Sequence, residues 1–339
     1  MRAWCVREFG PFRDVLELER RRRPRLEEGS VILRTRAAGI NFPDILMIAG
    51  KYQVRPEPPF VPGFESAGEV VETSTPELEV GTRVVCQEDF GAFSELRRVA
   101  VRRALPIPET LSFAEAAASF VTFQTAYFAL VHRTALQPGE TLLVHGAAGG
   151  VGSAAVQLGR ILGATVIATA GSDGKIEVCR RLGAHHTIAY RDEDLVPRIE
   201  ELTGGRGADV IFDPVGGDVF DTSTRCIAWE GRLLTIGFAG GRIPSVAANR
   251  ILLKNIAVVG LFWTSYWQRK RQLILGAHER MLELIREGRF RPLIWDRLPL
   301  EGLPDALEAV YRRATFGKLI LVAGQQDPGR SPKGDARKA

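Results

Sequence analysis

Residues 145 to 152 read His145-Gly146-Ala147-Ala148-Gly149-Gly150-Val151-Gly152. A short apolar run, Thr141 to His145, leads into them, and apolar residues at helical spacing follow from Val151 to Leu162. Between a strand and a helix, the pattern Ala147-x-Gly149-x-x-Gly152 has a physical meaning. The first position turns tightly, the second lets backbone approach a phosphate, and the third lets the helix pack on the strand. The free N–H groups of Gly150, Val151 and Gly152 at the helix N-terminus then suit a pyrophosphate. The expected chemistry is dinucleotide binding.

About 20 residues beyond such glycines, the end of the second strand sorts dinucleotides by their ribose. Here it reads Ala168-Thr169-Ala170-Gly171-Ser172-Asp173-Gly174-Lys175. No carboxylate stands at the strand end, where it would take the ribose hydroxyls and repel a 2′-phosphate. Ser172 and Lys175 offer a hydroxyl and an ammonium at the start of the next helix. Asp173 argues the other way, since it suits a bare ribose. The balance favours NADP, with NADPH preferred over NADH.

The elements that must position these residues fall into two textures. Residues 1 to about 122 hold short β-branched runs, such as Val31 to Thr35 and Arg83 to Cys86, between Pro and Gly turns. They read as small antiparallel β-structure. From about Leu136, short apolar strands alternate with helices. Further strands are expected at Thr165–Thr169, His186–Ala189, Asp209–Phe212, Arg232–Ile236 and Ile256–Val259. Nearly all-apolar strands between helices imply a parallel sheet covered on both faces. With Thr141–His145 they make a doubly wound six-stranded dinucleotide-binding (Rossmann) domain of the α/β class. After about Thr264 the spacing is helical again, over Arg271 to Glu287 and then Leu303 to Arg313, and a lone strand, Lys318 to Val322, closes the pattern. Its simplest partner is the β-rich N-terminal region, which makes the first domain discontinuous. The expected domains are therefore 1–124 with 264–324, and 125–263 inserted, with 325–339 a disordered tail.

The 339 residues fit two domains at roughly 100–200 residues each. Hydrophobic residues at 45% and charged residues at 25% exclude a fibrous or mainly disordered chain. The net charge of +5 is mild, and the tail and the Arg20 to Arg25 cluster supply part of it. Neither stretch interleaves aromatics, so nucleic-acid or membrane contact is not expected. Cys5, Cys86, Cys179 and Cys226 form no CxxC pair. The N-terminus lacks the apolar segment of a secretory signal, and no apolar run reaches a membrane span. A cytoplasmic, thiol-reduced protein is expected.

Several segments together resemble the zinc-independent quinone oxidoreductase (ζ-crystallin-like) branch of the medium-chain dehydrogenase/reductase superfamily. They are Gly39-Ile40-Asn41-Phe42-Pro43-Asp44, Pro59 to Glu65, Thr125-Ala126-Tyr127, His145 to Gly152, Gly183-Ala184-His185 with Tyr190, Asp213 to Gly217, and Gly317-Lys318. The resemblance runs from Met1 to about Ala323. It implies that the first domain is a GroES-like β-barrel. It places Asn41 beside the nicotinamide ribose and the substrate carbonyl, and Thr125 against the nicotinamide or its phosphates. It assigns Ser172, Lys175 and Tyr190, with Gly171, to the adenosine 2′-phosphate. Gly237, Phe238, Leu261 and Phe262 belong on the nicotinamide side, Val215 is a further cofactor-binding residue, and Lys318 reaches towards the cofactor. Tyr52 matches a tyrosine at the substrate end, where a phenol can donate a hydrogen bond or a proton. Asp44 caps a short helix. Lys51 and Arg55 read as surface charges.

Zinc-dependent alcohol dehydrogenases of the superfamily carry a Cys where Asn41 stands and a His where Phe64 stands. An amide and a phenyl ring do not replace those ligands, so no metal site is expected. Without a Lewis acid, the natural hydride acceptor is a quinone or an activated C=C, whose developing charge spreads onto an oxygen. The expected activity is NADPH-dependent, metal-free reduction of a quinone or α,β-unsaturated carbonyl. The alternatives are an enoyl-thioester (acyl-CoA) reductase and, in another class, a non-catalytic NADPH-binding or RNA-binding protein. An apolar last strand at residues 256–259 is expected to pair with a second copy, giving a homodimer.

Overall fold

The computed structural model describes residues 1–323; the expected disordered tail, 325–339, lies outside the described residues. The chain divides into two compact units, residues 1–121 with the C-terminal segment from Pro292, and Thr122–Arg291.

In the second unit the strands are β1 (Thr141–Val144), β2 (Thr165–Ala170), β3 (His186–Ala189), β4 (Ala208–Asp213), β5 (Ile227–Thr235) and β6 (Ala257–Gly260). They pair in the order β3-β2-β1-β4-β5-β6, every neighbour parallel. Leu143, Ile167, Ile188, Ile211 and Leu233 are fully buried together in one core. Their strand neighbours Leu142, Val166, Val210 and Leu234 are buried as well. Both faces are covered, which is why these strands read as continuous apolar runs. The order reverses between β1 and β4, and that creates a crevice at their C-terminal ends.

The first unit is built around the strand Ser30–Gly39, which pairs along one edge with Glu65–Thr73. Along the other edge, residues 30–34 take Leu96–Ala100 and residues 37–39 take Lys318–Val322, both antiparallel. The expected pairing of the last strand with the N-terminal region is present, with Ile320 opposite Gly39. The strand Ile294–Pro299 joins parallel to Lys318–Val322. It was not legible beforehand, because only alternate residues are turned inward and no apolar run results. Beside this sheet, the helix Phe42–Ile48 packs Met47 and Ile48 with Phe64, Phe93, Leu303, Leu307 and Leu319.

One expected boundary is corrected. Residues 264–291 belong with the second unit, not with the first. Their helix, Arg271–Arg286, buries Ile274, Ala277, Met281 and Leu284. The Ile274 carbonyl accepts from Gln124 Nε2 at 3.1 Å, and the Phe290 ring meets Phe123 edge-on at 5.0 Å. Helical spacing identified the helix but not the surface that covers it.

The C-terminal strand is expected to be indispensable to the first unit. Ile320 is completely buried, so Ile320→Ala should cost about 2–5 kcal/mol. Urea unfolding measures this, and a loss below about 1 kcal/mol would contradict the described packing.

Candidate functional site

The glycine turn follows β1 and opens the helix Gly150–Ile161. His145 N–H donates to the Phe212 carbonyl on β4, and Ala147 N–H donates to the Thr169 carbonyl on β2. These bonds hang the turn across the crevice. A Cβ on Gly152 would lie 2.3 Å from the Gly146 carbonyl oxygen and 2.8 Å from Ala147 Cα. Only glycine lets the helix start this close to the strand end. No side chain caps the helix. The N–H groups of Gly150, Val151 and Gly152 therefore remain available to an anion.

Asp213 ends β4 beside this turn. Its Oδ1 accepts from Val215 N–H at 2.8 Å and from Gly216 N–H at 3.0 Å. That carboxylate shapes the segment whose Pro214 and Val215 side chains lie nearest to Gly146. Gly237 and Phe238 follow β5, and Phe238 closes over Gly216. Leu261 and Phe262 follow β6, with Leu261 N–H bound to the Thr235 carbonyl and Phe262 about half exposed. Thr125 is buried on the helix Phe113–Tyr127.

At the end of β2, a Cβ on Gly171 would fall 2.4 Å from the Tyr190 hydroxyl. Glycine thus brings the phenol of Tyr190 against the start of the helix Asp173–Arg181. Ser172 is the N-cap residue, yet its side chain does not cap the helix, and Lys175 sits in the first turn. Most residues expected to bind the dinucleotide in this unit therefore line the C-terminal ends of the six strands. The cradle fits a dinucleotide, with a helix start that only glycine at 152 permits so close to the strand end, an open helix N-terminus, and two hydroxyl residues, Ser172 and Tyr190, beside Gly171.

His145 was not singled out by sequence. Its ring is buried between Thr169 Oγ1 at 3.1 Å and Ser223 Oγ at 2.9 Å. Burial pushes its pKa down to about 4, so it stays neutral and ties β1 to β2 and to the helix Gly217–Cys226.

In the first unit, Asn41 precedes the helix Phe42–Ile48, and its backbone N–H donates to Asp44 Oδ2 at 2.7 Å. Lys318 is 4% exposed. Its ammonium donates to the Ile40 carbonyl at 2.7 Å, to Asn41 Oδ1 at 2.8 Å, and to Glu65 Oε2 at 3.3 Å. Asn41 Nδ2 donates to the Gly39 carbonyl at 3.1 Å and lies 3.5 Å from Glu65 Oε2. The other Glu65 oxygen accepts from Val121 N–H at 2.6 Å. The described bonds of Lys318 end on Asn41, Ile40 and Glu65. Glu65 was quoted only as part of a motif; its partner is far away in sequence, so no local signal revealed the pair.

Tyr52 packs edge-on against Phe64, with ring centroids 5.5 Å apart. Burial, followed by the nearby Asp44, raises its phenol to about 12, so it keeps its proton. Burial likewise raises the Glu65 carboxyl against the opposing pull of Lys318. Asp44 is fully buried, and desolvation raises it to about 7 despite the Asn41 N–H and Lys318. A carboxyl raised in the folded state favours folding most below its unfolded value of 3.8, and that advantage is lost as pH rises through about 7. Asp44→Asn should therefore flatten the pH dependence of unfolding free energy. Relative to the variant, the parent should lose a few kcal/mol between about pH 4 and pH 8. Parallel curves in denaturant titrations would contradict the raised value.

Family comparison agrees with both units. The model described as alcohol dehydrogenase GroES-like domain matches residues 27–109, and the one described as zinc-binding dehydrogenase matches residues 150–277. Among the described residues, no group of three or more His, Cys, Asp or Glu side chains is placed to hold a metal ion. Quinone oxidoreductase-like protein 2 from Bos taurus is 42% identical over 286 residues, which cover 84% of this chain and 82% of that protein. The crystal structure of Escherichia coli quinone oxidoreductase complexed with NADPH superposes with a TM-score of 0.89 at 31% identity, covering 95% of this chain and 100% of that one. The quinone oxidoreductase from Thermus thermophilus, also solved with NADPH, gives 0.81 at 35% identity, with coverage of 95% and 100%. An α/β chain with a GroES-like domain, a six-stranded Rossmann sheet and relatives this similar over most of their length belongs to the zinc-independent quinone oxidoreductase branch of the medium-chain dehydrogenase/reductase superfamily.

Proposed function

We propose that this oxidoreductase uses NADPH to reduce a quinone or an α,β-unsaturated carbonyl, with organic side chains alone assisting. The observation that carries the reading is the uncapped start of the helix Gly150–Ile161 at the point where the strand order reverses. There the N–H groups of Gly150, Val151 and Gly152 would hold the pyrophosphate. Ser172, Lys175 and Tyr190, gathered at Gly171, would hold the 2′-phosphate. Val215, Gly237, Phe238, Leu261 and Phe262, with Thr125, would flank the nicotinamide. The two relatives solved with NADPH support this choice of coenzyme. When bound, the nicotinamide supplies the hydride.

The chain's own contribution is orientation and hydrogen-bond donation. Tyr52 keeps its proton at neutral pH, and among the described residues its hydroxyl makes no hydrogen bond, so it is the group that can donate to a substrate oxygen. An acceptor whose charge spreads onto that oxygen suits such a donor without a Lewis acid. Asn41 and Phe64 stand where zinc-dependent relatives place ligands, and neither is a metal-binding side chain of that kind.

The test is a panel of quinones, enones and crotonyl-CoA assayed with NADPH and NADH. Turnover of quinones or enones is expected; reduction of the thioester alone favours the enoyl-thioester reading. NADPH binding without any turnover favours the non-catalytic one. Lys175→Ala should weaken NADPH by tenfold or more, the order expected for losing a charged hydrogen bond, and NADH much less. Equal losses in fluorescence titration would contradict the 2′-phosphate assignment.

The partner we propose is a second copy. The strand β6 ends the sheet, and its Val258 is exposed. On the preceding helix, Ala248–Lys254, Leu252 and Leu253 are each 75% exposed. An apolar edge of this kind favours pairing. Sedimentation should show a dimer that Val258→Lys converts to monomer; a monomeric parent at micromolar concentration would contradict it. Cys5, Cys86, Cys179 and Cys226 are buried and unpaired, in keeping with a reducing compartment such as the cytoplasm. No described helix is long and apolar enough to cross a membrane.

A further inference from the structure

We infer that the second unit carries a separate pocket for a small, flat aromatic anion, at the end of its sheet opposite the dinucleotide crevice. The pocket has a volume of about 190 Å³, and its lining includes Glu200, Arg206, Arg225, Cys226, Trp229 and Lys254. Gly207 immediately precedes β4, Ile227 opens β5, and Lys254 ends the helix before β6. The pocket therefore lies at the N-terminal ends of the strands, whereas the glycine turn lies at their C-terminal ends.

The backbone departs from regular pairing at this place. Ile227 pairs with Ala208 and Arg232 with Val210, so four residues of β5, 228–231, stand opposite Asp209 alone. Such a bulge re-aims side chains. Glu230 adopts a left-handed backbone within it, at φ 59°, and Trp229 is left 65% exposed at the pocket. A strained turn that holds an indole in water points to a ligand for that indole. On the other side, a Cβ on Gly207 would fall 2.6 Å from the Cys226 carbonyl oxygen. Glycine alone lets this loop close against the start of β5.

The lining sets the charge of the ligand. Arg206, Arg225 and Lys254 are positive, and only Glu200 is negative. Among the described residues, none of the four makes an ion pair. Lys254 Nζ donates to the Arg225 and Ile227 carbonyls at 2.7 and 3.3 Å, and Arg206 Nε to the Thr203 carbonyl at 3.3 Å. Burial pushes the Cys226 thiol up to about 11, so it adds no charge; Lys254, Glu200 and Arg225 all act on it electrostatically, which places them around one point. An uncompensated positive lining favours an anion. A guanidinium offers paired N–H groups to a carboxylate or phosphate, and the indole offers a face to an aromatic ring. The volume is below the roughly 300–1,000 Å³ of pockets for drug-sized ligands, so the occupant is a small ring system.

The probe is 2-naphthoate, with neutral 2-naphthalenemethanol as its control. Each is titrated into the 15N-labelled full chain, with and without NADPH. The readout is the Trp229 indole N–H resonance, identified by its loss in Trp229→Phe. Naphthoate should shift it saturably, with half-saturation at or below about 1 mM, to the same extent in both conditions. The alcohol should bind about tenfold more weakly. Arg225→Gln, an exposed position, should weaken naphthoate by about tenfold and leave the thermal midpoint and NADPH affinity of the parent in place. A Trp229 resonance that does not move, equal binding of the alcohol, unchanged affinity in Arg225→Gln, or displacement of naphthoate by NADPH each overturns the inference. The readout does not depend on turnover, so failure of the proposed reduction leaves this result to be decided on its own.

Discussion

One close approach organises the second unit: the helix Gly150–Ile161 begins in contact with the strand end that precedes it. With a Cβ at Gly152, the distance of 2.3 Å to the Gly146 oxygen could not exist. Because glycine stands there, an open row of amide N–H groups sits above the crevice between β1 and β4. The remaining features of this unit serve that placement. Neutral His145 bolts the strand end to its neighbours, and Asp213 curls the adjoining turn by accepting two backbone N–H groups. Both are buried polar groups that would be costly if unpartnered, and their bonds make the local backbone unique.

The first unit solves a different problem. Where zinc-dependent relatives have metal ligands, this chain has an amide and a phenyl ring, and it fills the interior beside them with Lys318, Glu65 and Asp44. A buried ion pair adds little net stability, because desolvation opposes attraction. Its value here lies in direction. The ammonium and the carboxylate impose an orientation on Asn41 that apolar packing could not, and they connect the last strand of the chain to the segment that leads into Tyr52.

Much of this was legible in the residues. The alternation of short apolar strands with helices from Thr141 onward predicts the parallel sheet, since covered strands must be apolar on both faces. Gly149, Gly152 and the carboxylate-free end of β2 carry their meaning locally, within a few residues of the atoms they position. What was not legible depends on long-range contact. Ile294–Pro299 hides because it is half exposed; the helix Arg271–Arg286 was visible, but the surface that buries Ile274 and Met281 was not. Lys318 and Glu65 are 253 residues apart, and nothing near either one announces the other. That Asn41 is an amide is plain from the sequence, but which of its atoms are engaged is a property of its neighbours.

The central claim is hydride delivery without a metal. The most direct measurement supplies NADPH deuterated at nicotinamide C4, with an enone as acceptor, to protein exhaustively treated with chelator. The account predicts undiminished turnover, with the label recovered on the β-carbon of the product. Activity that disappears on chelation and returns with added zinc would contradict it.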